Sequence, residues 1–126
     1  MADYPLAEKI PERLKTPTGL AFTEITLEAV LDGRVTMEDL RVTSEALELQ
    51  AQIAEAAGRP QLAENLRRAA ELVNVPEERI LEIYSALRPG RATRSGLLAL
   101  AAELEARYGA ARCATLIREA AEVAAP

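Results

Sequence analysis

From Thr23 to its C-terminus the chain alternates short alanine- and leucine-rich runs with residues that start or stop helices. That punctuation limits what it can build. Thr26 can cap a helix reaching Asp32, with Gly33 placed to end it in a left-handed conformation. Thr36 followed by Asp39 resembles a shortened capping box over a single turn. Thr43 predicts a longer helix to Ala57, with Gly58 as its stop. Its expected apolar side is Leu47, Ala51, Ala54 and Ala57, with Ile53 beside it. Pro60 suits the first turn of the next helix, where a missing amide costs nothing. Leu62, Leu66, Ala69, Ala70 and Val73 are expected to share one face of it. Pro76 restarts the chain, and Ile80, Ile83, Tyr84 and Leu87 make the next stripe before Pro89. Thr93 caps a helix carrying Leu97, Leu100, Ala101, Leu104 and Tyr108 on one side. Beyond Gly109, a last helix places Ala110, Cys113, Ala114, Ile117 and Ala121 together. The connections are short, which favours antiparallel neighbours.

The first 22 residues follow different rules. Pro5, Pro11 and Pro17 break any long helix, yet Tyr4, Leu6, Ile10, Leu14, Leu20 and Phe22 are too apolar for a solvated tail. Fully extended, the segment reaches roughly 70 Å, whereas the folded body has an expected radius of gyration of about 14 Å. It can therefore reach a partner. The expected fold is all-α: a compact helical bundle of short and medium helices with an extended, proline-containing N-terminal arm. The arm spans residues 1–22 and the helical domain 23–126, a single domain overall.

Chemistry-bearing groups are scarce. There is no histidine, which removes the commonest general base and the commonest metal ligand. One cysteine, Cys113, cannot form an internal disulfide, and its place on an apolar face favours a structural thiol. No glycine-rich phosphate loop occurs. The paired acids Glu77 and Glu78, and Glu38 with Asp39, stand in first turns where negative charge suits the helix dipole. Glu64 with Arg68, and Glu103 with Arg107, have the spacing of surface pairs. A net charge of −5 disfavours a nucleic-acid partner. No apolar run approaches a membrane span, and a cytoplasmic location is expected. No catalytic, cofactor-binding or metal-binding residue is therefore assigned.

Arg79, Arg88, Arg91 and Arg94 gather around one helix and its exit loop, with Tyr84 among them. Two readings stand side by side. They are solvated charges beside Glu77, Glu78 and Glu82, or they are a contact patch, since arginine and tyrosine are enriched anchors of protein interfaces.

Several runs resemble the small subunit of diol and glycerol dehydratases. They are Asp3-Tyr4-Pro5-Leu6-Ala7, Thr26-Leu27-Glu28 with Val30-Leu31, and Leu49-Gln50-Ala51-Gln52-Ile53-Ala54. The most specific stretch runs from Arg68-Ala69-Ala70-Glu71-Leu72 through Val75-Pro76 and Arg79-Ile80-Leu81-Glu82-Ile83-Tyr84 to Ala86-Leu87-Arg88-Pro89. Leu97-Leu98-Ala99, Glu103-Leu104-Glu105, Tyr108 and Ile117-Arg118-Glu119-Ala120-Ala121 complete it. The resemblance implies a non-catalytic chain assembled with large and medium subunits as a dimer of heterotrimers. That complex converts 1,2-propanediol or glycerol to an aldehyde and water with adenosylcobalamin, which this chain does not bind alone. The residues expected at the subunit interface are Tyr4, Arg79, Tyr84, Arg88 and Arg91. Some relatives carry an additional N-terminal segment linked to encapsulation in a bacterial microcompartment. This chain starts almost directly at Tyr4-Pro5-Leu6, so targeting by a signal of its own is not expected. Relatives also often end in a longer basic tail, where this chain has Ala124-Ala125-Pro126. Composition alone fits a stand-alone helical adaptor equally well.

Overall fold

A computed structural model describes residues 4–124; Asp3 of the opening motif and the terminal Ala125 and Pro126 lie outside them. Among the described residues the chain is all-α, as expected, with short and medium helices behind a proline-containing N-terminal arm. The helices are α1 (Leu6–Lys9), α2 (Leu27–Leu31), α3 (Ser44–Ala56), α4 (Pro60–Leu72), α5 (Glu77–Ala86), α6 (Arg94–Tyr108) and α7 (Ala111–Glu122). Single 3₁₀ turns occupy Pro11–Arg13, Phe22–Glu24 and Met37–Leu40. The chain divides into two compact units, Met1–Ala70 and Glu71–Pro126.

Local chemistry sets the helix ends. The hydroxyls of Thr26, Thr43 and Thr93 accept the amides of Ala29, Ala46 and Gly96 at 3.1, 3.1 and 3.2 Å. Each satisfies one of the amides a helix start leaves without an intrahelical partner. Gly109 closes α6 with φ 65°, a left-handed conformation that a side chain would strain.

In the first unit, the arm lies on its own neighbours. A hairpin folds between Leu14 and Phe22: Thr16 N donates to Leu20 O at 2.9 Å and Phe22 N to Leu14 O at 2.9 Å. Arg13 reaches Glu45 of α3 at 2.9 Å. The core here is small. Ala51, Ala54 and Ala63 are buried, with Leu66 packed beside them. Two expected faces shift in consequence. α4 turns Ala63 inward and leaves Leu62 and Ala69 exposed; α3 buries Leu49 and exposes Ala57. Alanine facing alanine lets two backbones approach closely, and Leu62 at that contact would hold them apart.

The second unit has the larger core. α6 contributes Leu97, Ala101 and Leu104, α7 contributes Cys113, Ala114, Ile117 and Ala121, and α5 contributes Ile83. Leu104, 1% exposed, is its largest fully buried side chain. Here the predicted α7 stripe is buried throughout, and in the α6 stripe Leu97, Ala101 and Leu104 are buried with Leu100 and Tyr108 partly so. Tyr84 is the exception: it leaves the α5 stripe and stands 62% exposed.

Candidate interaction surfaces

α5 carries most of the residues expected at an interface. Arg79 is anchored within the chain, where its Nε donates to Glu103 Oε2 at 3.1 Å and its terminal nitrogens pair with Glu103 and Glu82. Those bonds raise the guanidinium pKa, and they hold the Glu103 carboxyl below the usual carboxylate range. Arg107, the neighbour expected from spacing, stands farther from Glu103 at 3.9 Å. Arg94 does a different job. Its guanidinium donates to the carbonyls of Ala121 and Ala124 at 3.1 and 3.3 Å, satisfying groups at the end of α7. Arg88 and Arg91 are exposed in the turn after α5, where Gly90 takes φ 77°. Tyr84 is exposed with Leu81, which is three residues earlier on the same face of α5. Thus the second unit displays Leu81, Tyr84, Arg88 and Arg91 outward, while Arg79 braces α5 from the other side. Tyr4, in the first unit, is 69% exposed.

The first unit also exposes a group that the stripe reading passed over. In α2 only Ala29 is buried, and Leu27, Val30 and Leu31 face solvent. The next turn is built the same way, with Met37 and Leu40 outward and the charged Asp39 only 6% exposed. The Asp39 carboxylate accepts the Thr36 amide at 2.7 Å and the hydroxyls of Thr36, Thr16 and Thr18. These donors favour its ionised form and lower its pKa, the Thr18 hydroxyl foremost. The available sequence signal was a five-residue helix carrying more large apolar residues than it could turn inward.

Among the described residues no three metal-ligating side chains come together. A cleft of ≈ 170 Å³ in the first unit includes Asp39, Phe22, Ile25 and Val42. An open hollow of ≈ 370 Å³ in the second is lined by Arg94, Leu98, Arg118, Ala121 and Glu122. Its arginines are already bonded, Arg118 to Glu105 at 2.6 Å and Arg94 to the α7 carbonyls. No described helix is long and apolar enough to cross a membrane.

The class defined so far is an all-α chain that ties several of its charged groups into caps and ion pairs while presenting tyrosine, other arginines and aliphatic side chains outward. Residues 1–125 match the family model described as dehydratase small subunit, and the chain belongs to that family. It is 56% identical over 121 residues to the propanediol dehydratase small subunit of Salmonella typhimurium, covering 96% of this chain and 70% of that one. A second relative, the propanediol dehydratase small subunit of Citrobacter freundii, is 55% identical over the same shares. Among the described residues, the two hollows offer no enclosed seat for the corrinoid cofactor that the resemblance implies for the assembled complex: one measures ≈ 170 Å³ and the other is open.

Proposed function

We propose that this chain is the non-catalytic small subunit of an adenosylcobalamin-dependent dehydratase converting 1,2-propanediol or glycerol to an aldehyde and water. It acts in the cytoplasm by binding the large and medium subunits, within a dimer of heterotrimers. Residues 1–22 serve as its arm and 23–126 as its helical body. The observation that carries this reading is the outward group on α5 and its exit turn: Leu81, Tyr84, Arg88 and Arg91 are exposed together. Tyrosine and arginine combine large contact area with hydrogen bonding, the combination found at interface anchors. Arg79 contributes through Glu103 and Glu82, fixing the helix that presents Tyr84. Tyr4, exposed in the first unit, makes a contact of its own from the arm. Substrate and cofactor belong to the other subunits, and elimination of water draws on no residue of this chain.

Affinity capture of the tagged chain from its native host, with mass spectrometry, tests this. The expected result is recovery of a large and a medium dehydratase subunit with adenosylcobalamin-dependent aldehyde formation. Recovery of the chain alone, or with unrelated proteins, would establish the adaptor reading instead. Replacing Tyr4, Arg79, Tyr84, Arg88 and Arg91 by alanine should weaken assembly more than it lowers helicity.

A further inference from the structure

Residues 27–40 turn most of their large aliphatic side chains outward, Val35 at 7% exposure being the one that packs inward. A surface segment ordinarily turns aliphatic side chains inward and charges outward. In α2 the small Ala29 is buried at 1% exposure, whereas Leu27 and Leu31 are 74% and 77% exposed. In the Met37–Leu40 turn a carboxylate is inside, and Met37 and Leu40 are 79% and 62% exposed. Neither arrangement is loose. Arg34 N and Val35 N both donate to Ala29 O, at 2.9 and 3.2 Å, folding the connection back onto α2. Asp39 ties the following turn to Thr16 and Thr18 of the arm. Val35, Ala29 and this polar bonding hold the segment from within, and its other aliphatic side chains stay outward.

The geometry points to this outward face, Leu27, Val30, Leu31, Met37 and Leu40, as the seat of a larger dehydratase subunit presenting an apolar patch bordered by arginine or lysine. It rests on the proposed function, and it names a contact surface separate from the α5 group. Two observations select the occupant. The first is charge: Glu24, Glu28, Asp32 and Glu38 are exposed around the patch against Arg34, which is paired with Asp32 at 3.2 Å, and Arg41, so the border is acidic on balance. A second copy of this chain would bring acidic border against acidic border, which opposes association, whereas a basic border completes the match. The second is area. Five side chains, half to four-fifths exposed, are few beside the roughly 20–30 residues that each side of a standard interface contributes. A free-standing interface needs about 800 Å² from each partner. The patch is therefore the centre of a wider contact, and a large chain can continue beyond it.

The test uses the purified large–medium complex titrated against the full-length chain. Two variants are compared with the wild type: L27Q/M37Q, which changes polarity at side chains exposed to solvent, and E28R/E38R, which reverses the border. Helical circular dichroism is recorded for each. With helicity unchanged, L27Q/M37Q should weaken binding by roughly 30-fold or more, as loss of a central anchor does. E28R/E38R should weaken it too, with the difference shrinking as salt is raised. If the wild type binds and both variants bind equally well, this surface is wrong while the proposed function stands. If L27Q/M37Q abolishes self-association and leaves subunit binding intact, the occupant is a second copy and the inference is overturned. A wild-type chain that binds no dehydratase subunit overturns both readings.

Discussion

Replacing Glu71 should loosen the start of a helix that begins 40 residues later in the sequence. α7 opens at Ala110, which offers no side-chain cap. Its first amides are nevertheless all bonded: Ala111 N to Gly109 O at 3.0 Å and Ala114 N to Ala110 O at 2.9 Å. The two between them go to Glu71, with Arg112 N at 3.0 Å from Oε2 and Cys113 N at 2.9 Å from Oε1. Glu71 is in the last turn of α4, where a negative charge opposes its own helix dipole. Its position makes sense as a remote cap for α7. Loss of a cap costs about 1 kcal/mol, within a range of roughly 0.5–2, and bonds to a charged group sit in the upper part of that range. Water can replace the acceptor at the exposed Arg112 amide more easily than at the part-buried Cys113 amide. Alanine also has the better helix propensity, returning a few tenths of a kcal/mol to α4. Glu71→Ala should therefore destabilise the chain by about 1–2 kcal/mol, and Glu71→Gln, which keeps one acceptor oxygen, by about half as much. Urea unfolding followed by circular dichroism gives the total, and amide hydrogen exchange locates it. Exchange should accelerate first at Arg112 and Cys113. Unchanged stability, with those two amides protected as before, would refute the remote cap.

Other consequences follow from the cores and ion pairs. Leu104→Ala opens a cavity at the largest fully buried side chain of the second unit and should cost about 3–5 kcal/mol in denaturant unfolding. Gly109→Ala meets no atom within 4 Å, so its cost of about 1–2 kcal/mol, read by the same assay, comes from the left-handed backbone alone. Asp39 and Glu103 both have folded-state pKa values below their usual range, so the unfolded chain binds more protons in acid. The stability they confer is complete above about pH 5 and is lost as pH falls through the ordinary carboxylate range and below. Glu103→Gln should flatten that loss, and an acid-unfolding curve identical to the wild type would contradict the Arg79 pairing.

What the sequence disclosed was local. Thr26, Thr43 and Thr93 announce helix starts because a cap acts across three residues, and Gly109 announces an end because its conformation excludes side chains. The α7 stripe was legible because each residue expected on it is buried. The inward face of α4 was not, because the choice of Ala63 over Leu62 depends on Ala51 and Ala54 of another helix. Asp39 reads as an ordinary first-turn acid until Thr16 and Thr18 close over it from 21–23 residues away. Arg79 and Tyr84 were expected to act alike. Their side chains lie differently: Glu103, on a separate helix, draws Arg79 in, while Tyr84 stands exposed. The exposed face of α2 eluded periodicity for the same reason: five residues do not reveal which side meets the rest of the chain.

We propose that this chain supports a dehydratase without supplying its chemistry. An omission experiment tests it most directly: large and medium subunits are prepared with and without this chain, and aldehyde release from 1,2-propanediol and glycerol is followed with adenosylcobalamin present. No aldehyde is expected from this chain alone, and full activity together with a defined complex only when it joins the other two. Aldehyde formed by the isolated chain, or a complex that assembles and works equally well without it, would contradict the account.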